Sequence, residues 1–379
     1  MNINVCRGPL AEACDDDNLD LVSYLLSQGA DPNLIRKGYR YPLYDAARKG
    51  NLEMLDLLLK NGAEPKIEAG DVFTIACYGG EKVINRFLDM DVPTSEKQMC
   101  LDICLQGAAY STNSKLCSWL LEKGANVNSI GGKYGGPLQA AVSDEQVYTA
   151  APVNNRRLII DMLLSRGANV NASGPNGSAL QIALENRQSN SANTLLDAGA
   201  DVNMCSGNLH SPLQAAARYT QNLLPRLLSM GADVNAIGGE YGTALHAAAY
   251  THDLDSIRLL LSHGADIHIR AGKYGDVLQA ASKEDAVCSG GFTSERDSVE
   301  ALKLLYAHGA STTVQGGHFG CALQLAAKTG NLEAVKWLLT HGADPRVKGG
   351  KYGSAMKAAV KKKKWGVISY LEQHFPGCE

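Results

Sequence analysis

At 379 residues, a closed globular fold would divide into two or three domains. Apolar residues make up 45% and charged residues 20%, an ordinary soluble composition, and a net charge of -3 gives no global attraction for nucleic acid. No stretch is long and apolar enough to span a membrane, and Met1-Asn2-Ile3-Asn4-Val5-Cys6 lacks the apolar run of a signal peptide.

Along the chain, one phrase keeps returning. It reads Leu25-Leu26-Ser27-Gln28-Gly29-Ala30, then Leu58-Leu59-Lys60-Asn61-Gly62-Ala63, and recurs with glycine at Gly124, Gly167, Gly199, Gly231, Gly264, Gly309 and Gly342. A period close to 33 residues means stacked supersecondary units, in which each unit contacts only its neighbours and the core grows in one direction. About eleven units begin near Pro9, Pro42, Phe73, Leu101, Pro137, Ala179, Pro212, Ala244, Val277, Ala322 and Ala355, so residues 1–379 read as a single continuous array. Residues 71–123 hold two degenerate units. There Phe87-Leu88-Asp89-Met90-Asp91-Val92 has lost the glycine, and the next unit lacks a clean Pro-Leu-Gln phrase. Residues 351–379 form the C-terminal capping unit.

From Pro137 onward a second phrase opens each unit. Examples are Gly136-Pro137-Leu138-Gln139-Ala140-Ala141, Ser211-Pro212-Leu213-Gln214-Ala215-Ala216 and Thr243-Ala244-Leu245-His246-Ala247-Ala248. Ser, Thr or Asp before Pro or Ala can cap a first helix, and proline suits its first turn. The Ala-Ala pair keeps that helix thin. In the second helix apolar residues recur at helical spacing, as in Ile159, Ile160, Met162, Leu163 and Leu164. The following glycine fits a left-handed helix terminus, and Asp-Val-Asn or a variant then leads into an extended finger.

Spacing and residues together resemble the ankyrin repeat, whose signature is Thr-Pro-Leu-His-x-Ala at about 33 residues. Most units here carry Gln in place of His, a mild change because Gln also donates and accepts hydrogen bonds. The resemblance implies an all-α-dominated ankyrin-repeat solenoid, elongated and curved, of helix-turn-helix units with short β-hairpin fingers. It also implies a scaffold or adaptor that binds another protein on the concave surface of fingers and first helices. An enzyme or small-molecule binder using a pocket in that groove remains the alternative.

The fingers carry the distinctive chemistry. They read Gly131-Gly132-Lys133-Tyr134-Gly135, Gly238-Gly239-Glu240-Tyr241-Gly242, Ala271-Gly272-Lys273-Tyr274-Gly275, Gly316-Gly317-His318-Phe319-Gly320 and Gly349-Gly350-Lys351-Tyr352-Gly353. This is similar to ankyrin arrays common in filamentous fungi. Glycine supplies positive φ in tight turns, so these fingers should be defined hairpins. Tyr241, Tyr274, Phe319 and Tyr352 then make a ladder along one edge, with Tyr134 and Tyr39 as further members. Each ring either packs over its neighbour's glycines to stiffen the finger or offers amphipathic area to a partner, and both roles are compatible.

Two glycine-to-glycine steps are longer, 43 residues from Gly124 to Gly167 and 45 from Gly264 to Gly309. The extra residues, near 143–155 and 282–295, contain Tyr148 and Phe292. They read as tolerated surface loops or as a secondary partner contact. Near the C-terminus the run Lys361-Lys362-Lys363-Lys364 reads as a polar cap, as steering for an acidic partner, or as a nuclear-import signal.

No catalytic motif, phosphate loop or metal-binding spacing is present in the sequence, and no cofactor is expected. His263, His308 and His341 share one repeat position, which points to structure rather than ligation. Ten cysteines without Cys-x-x-Cys spacing read as free thiols of an intracellular, reducing compartment. Trp119 and Trp337 read as core packing. The protein is expected to be cytoplasmic, with nuclear entry a further option, monomeric, off the membrane and without direct nucleic-acid reading. Nearest-neighbour coupling makes the degenerate repeats a weak joint. Amide hydrogen exchange should therefore be fastest, away from the termini, within residues 71–121, and uniform protection there would refute this.

Overall fold

The computed structural model describes residues 9–34, 41–64, 71–90, 93–143, 153–283 and 295–377. They form two compact modules, Met1–Pro175 and Asn176–Glu379. The N-terminal module holds α1 (Pro9–Asp15), α2 (Leu19–Ser27), α3 (Pro42–Lys49), α4 (Leu52–Lys60), α5 (Asp71–Leu88), α6 (Thr94–Tyr110), α7 (Ser114–Glu122), α8 (Pro137–Val142) and α9 (Val153–Ser165). The C-terminal module pairs α10 (Ala179–Glu185) with α11 (Ser189–Asp197), α12 (Pro212–Tyr219) with α13 (Leu224–Ser229), and α14 (Ala244–Thr251) with α15 (Leu254–Ser262). It continues with α16 (Val277–Ala281) and α17 (Glu295–Ala307), α18 (Ala322–Thr329) and α19 (Leu332–Thr340), and α20 (Ala355–Lys361) and α21 (Trp365–His374). Within each module successive first helices pack on one another and on their own second helices.

Short helices depend on their ends. Ser211, Thr243 and Ser354 each accept a hydrogen bond from the backbone N–H three residues on, and the Asp276 carboxylate accepts from Leu278 and Gln279. The second helices are capped by Asn18, Asn51, Asn113, Asp253 and Asn331, which the sequence reading missed. Each such cap is worth about 1 kcal/mol. At the far end the Leu…Gly-Ala phrase folds into a Schellman closure. In the first repeat Ala30 N–H bonds Leu25 C=O at 3.0 Å and Gly29 N–H bonds Leu26 C=O at 3.0 Å, with Gly29 at φ 82°. His263, His308 and His341 each turn Nδ1 onto the carbonyl four residues back at 2.7–2.9 Å, which explains histidine at that position.

Side-chain amides then stitch repeat to repeat. Asn203 gives Nδ2–H to Gly231 C=O at 2.9 Å while its Oδ1 accepts from Asp233 N–H at 2.7 Å, and Asn235 does the same with Gly264 and Asp266. The first-helix Gln reaches the base of the following finger. Gln214 Nε2 donates to Ala236 and Gly242 carbonyls at 3.1 and 3.2 Å, and Gln324 to Val347 and Gly353 at 3.0 and 3.2 Å.

The degenerate repeats differ from expectation in two ways. α5 runs through both helices of its repeat, kinked where Gly80 takes φ 76°, ψ -171°. The fourth repeat's first helix starts at Thr94 rather than near Leu101, with Pro93 as its N-terminal stop. Trp119 and Trp337, expected in the core, are only half-buried; Trp337 stacks on His341 at 4.2 Å. Among the described residues the cysteines are free thiols, all but Cys205 buried. Burial, aided by the Asp45 charge, pushes the Cys14 thiol up to about 12. No helix is long and apolar enough to cross a membrane among the described residues.

Gly272 and Gly317 sit at φ 66°, where an added Cβ would lie 2.3 Å from Tyr241 backbone and 2.7 Å from Tyr274 backbone. Gly264 also has positive φ but faces open space. Gly272→Ala or Gly317→Ala should therefore destabilise the protein by about 2–4 kcal/mol, strain plus overpacking, against about 1–2 kcal/mol for Gly264→Ala. Urea unfolding of the three variants checks the ranking, and equal losses would refute the close-approach argument.

His246 takes the Gln position in α14, fully buried, with Nδ1 2.8 Å from Thr243 Oγ1. Burial pushes its pKa down from 6.5 to about 4, with the Gly275 backbone opposing. The unfolded chain thus takes up the proton first on acidification, so stability is full above pH 6.5 and falls towards pH 4. His246→Gln should remove about 2–3 kcal/mol of that acid sensitivity. The check is Tm against pH for both proteins; parallel curves would sink the assignment.

Candidate functional site: the finger and first-helix face

Six of the described fingers are five-residue hairpins closed by one antiparallel bridge, as in Gly238 with Gly242, Ala271 with Gly275, Gly316 with Gly320 and Gly349 with Gly353, while Ser173–Gly174 and Gly177–Ser178 pair as two short strands. Ser206 and His210 close another, with Leu209 in the ring position, a finger that sequence reading missed because it lacks the aromatic. Neighbouring fingers are joined through their tips. Lys273 N–H donates to Glu240 C=O at 2.8 Å, His318 to Lys273 at 3.0 Å, and Lys351 to His318 at 3.0 Å. The second glycine of each finger permits this approach.

The aromatic candidates lie behind that edge. Tyr241 and Tyr274 stack at 6.2 Å, and Tyr274 and Phe319 at 5.9 Å. All three are buried, and Tyr352 is half-buried. Tyr250 joins them from α14, 5.0 Å from Tyr241 and 5.5 Å from Tyr274. In the N-terminal module Tyr134 is buried and stacks on Tyr110 at 4.6 Å. Tyr39, Tyr148 and Phe292 lie outside the described residues. Ring faces are therefore largely occupied by other rings, while the finger tips Glu240, Lys273, His318 and Lys351 are exposed.

A second row, not singled out from the sequence, meets the rings from the helices. The seventh residue of successive first helices is Arg218, Tyr250, Lys283 just past the end of α16, Lys328 and Lys361. Arg218 Nε donates to Tyr241 OH at 2.9 Å, and its guanidinium lies 4.7 Å over Tyr250. Lys283 covers the same ring at 4.3 Å and bonds its hydroxyl. Lys328 lies 4.6 Å over Phe319, and Lys361 5.7 Å from Tyr352. Each cation–π contact of this kind contributes about 0.5–1 kcal/mol at an exposed site. A register comparison of the repeats would have found this row, since only the Lys361 end is a continuous run in sequence.

The electrostatics follow from crowding. Burial raises the Tyr241 pKa, with Arg218 opposing. Desolvation lowers the pKa of Lys328, and the charges of Lys283, Lys362, Lys273 and Lys351 push it further down. Lys273 bridges Glu240 at 3.0 Å, but no described carboxylate bridges Lys328. Of the C-terminal run, Lys361, Lys362 and Lys363 are exposed, whereas Lys364 lies against Gly330 and leads into α21.

An open cleft of about 530 Å³ lies between α20 and the end of α21, lined by Met356, Lys357, Val360, Lys361, Glu372 and Phe375. Among the described residues no group of three His, Cys, Asp or Glu side chains could hold a metal ion.

Comparison with protein families agrees with this construction. The model described as Ankyrin repeats (3 copies) matches residues 2–69 and 180–271, and the one described as Ankyrin repeat matches residues 321–349. No curated protein matches the chain. Ankyrin repeats generally mediate protein–protein interaction. Helix pairs closed by Schellman turns, amide stitches between repeats, stacked fingers and these matches together make the chain a member of the ankyrin-repeat proteins.

Proposed function

We propose that this protein is a scaffold or adaptor that holds a protein partner on the face formed by its fingers and first helices, within residues 176–379. The observation that carries this reading is continuity. Exposed finger tips follow one another from Glu240 to Lys351, and accessible first-helix cations stand in register at Arg218, Lys283, Lys328 and Lys361, interrupted by the buried Tyr250, on a frame already braced by stacked rings. The finger-tip edge is open along its length, as a polypeptide needs, and the cleft between α20 and α21 is confined to the last repeat. In this reading the rings act mainly as braces, and the variable residues beside them provide recognition. The proposed setting is the cytoplasm, with nuclear entry open to the Lys361–Lys364 run, a reading supported by an exposed Cys205 thiol that fits a reducing compartment.

The test places a photo-crosslinking amino acid at His318, on the finger edge, or at Lys303, on the second helix α17. A discrete protein adduct is expected from position 318 and absent from position 303. Equal adducts, or an adduct from 303 alone, would move the interface off this face.

A further inference from the structure

We propose, building on the protein-binding reading above, that the row Arg218, Lys283, Lys328 and Lys361 binds an extended acidic segment of a partner, with carboxylates at alternate positions. Charge is the first argument. The four cations share one face, and Lys351, Lys273 and Lys362 lie near enough to Lys328 to act on its charge. Lys328 itself has no carboxylate bridge among the described residues. Like charges held together by a rigid frame repel one another, and an incoming anion relieves that repulsion.

Spacing is the second argument. Consecutive finger rings step by 6.2 and 5.9 Å; Lys328 and Lys361 lie over the finger rings Phe319 and Tyr352, whereas Arg218 and Lys283 both lie over Tyr250 of α14. Alternate side chains of an extended strand, on one face, are separated by about 6.6 Å. An extended chain therefore keeps pace with the stacked rings and can set carboxylates opposite Arg218, Lys283, Lys328 and Lys361, with none needed at the Tyr250 repeat, whereas a helix puts neighbouring same-face residues on a steeper, 3.6-residue rhythm.

Burial decides between an acidic peptide and a single-stranded nucleic acid. Stacking platforms for bases need free aromatic faces. Here Tyr241, Tyr274 and Phe319 are buried against one another and under the cations, so the row offers charge without a stacking surface.

The experiment uses the full chain and fluorescence anisotropy with a labelled peptide of alternating glutamate and threonine. Its alternating lysine–threonine counterpart and an oligothymidylate serve as competing probes. The glutamate peptide should bind, and the lysine peptide should not. The double variant Lys283→Glu/Lys328→Glu should lose at least about tenfold in affinity, Lys283→Arg/Lys328→Arg should stay within about threefold, and Lys303→Glu should leave binding unchanged. Affinity should fall several-fold as salt rises from about 0.05 to 0.3 M, because the charges are only partly buried. Circular dichroism melts confirm that each variant is folded; if the glutamate pair is not, Lys283→Gln/Lys328→Gln takes its place, with a loss of at least about fivefold expected and unchanged affinity overturning the proposal. The proposal is overturned if the glutamate peptide does not bind, if charge reversal in a folded variant leaves its binding intact, or if oligothymidylate binds more tightly. Should it fail while crosslinking at position 318 still captures a partner, the acidic class falls and the binding face stands.

Discussion

Consecutive fingers approach so closely that the backbone of one occupies the space a side chain would need on the next, and much of the C-terminal module follows from that contact. Gly272 and Gly317 face neighbouring backbone at distances no Cβ tolerates, and both adopt the left-handed conformation that L side chains resist. The reward for that approach is a run of backbone hydrogen bonds from finger tip to finger tip, through Glu240, Lys273, His318 and Lys351. Behind the tips, the same spacing brings Tyr241, Tyr274 and Phe319 into stacking range. Glycine pair and aromatic ring are thus two halves of one packing device.

A braced edge has consequences for binding. Because neighbouring fingers and first helices are fixed by the Gln and Asn stitches, side chains on that face are presented with little freedom to move apart. Ordering them on contact with a partner then costs less conformational entropy than ordering a flexible loop. The same rigidity explains why several lysines remain close together. In a mobile surface they would separate, whereas here the ammonium groups of Lys283 and Lys328 are held over the rings of Tyr250 and Phe319, and the repulsion stays in place.

His246 shows how one substitution in a repeated position changes the chemistry without changing the architecture. Gln214 and Gln324 offer two amide hydrogens to two carbonyls of the following finger, which an imidazole cannot match. The histidine keeps the Thr243 contact and the helix start, but it introduces a buried titratable group at a position where α8, α10, α12, α16 and α18 carry an uncharged glutamine.

The sequence by itself determined the period, the helix pairs, the left-handed glycines and the capping of the first helices. These depend on local rules, in which a residue type at a fixed offset satisfies its own backbone. Asn18, Asn51, Asn113, Asp253 and Asn331 belong to the same legible class, as caps that local reasoning could have found. Only the tertiary structure decided which way the finger rings face, how α5 and α6 depart from the repeat, and that Trp119 and Trp337 lie at the half-exposed margin rather than in the core. It alone assembled Arg218, Lys283, Lys328 and Lys361 into one row, because residues 33 to 65 positions apart come onto one face only through stacking. Periodicity specifies what each repeat is, and the contact between repeats specifies what their shared face presents.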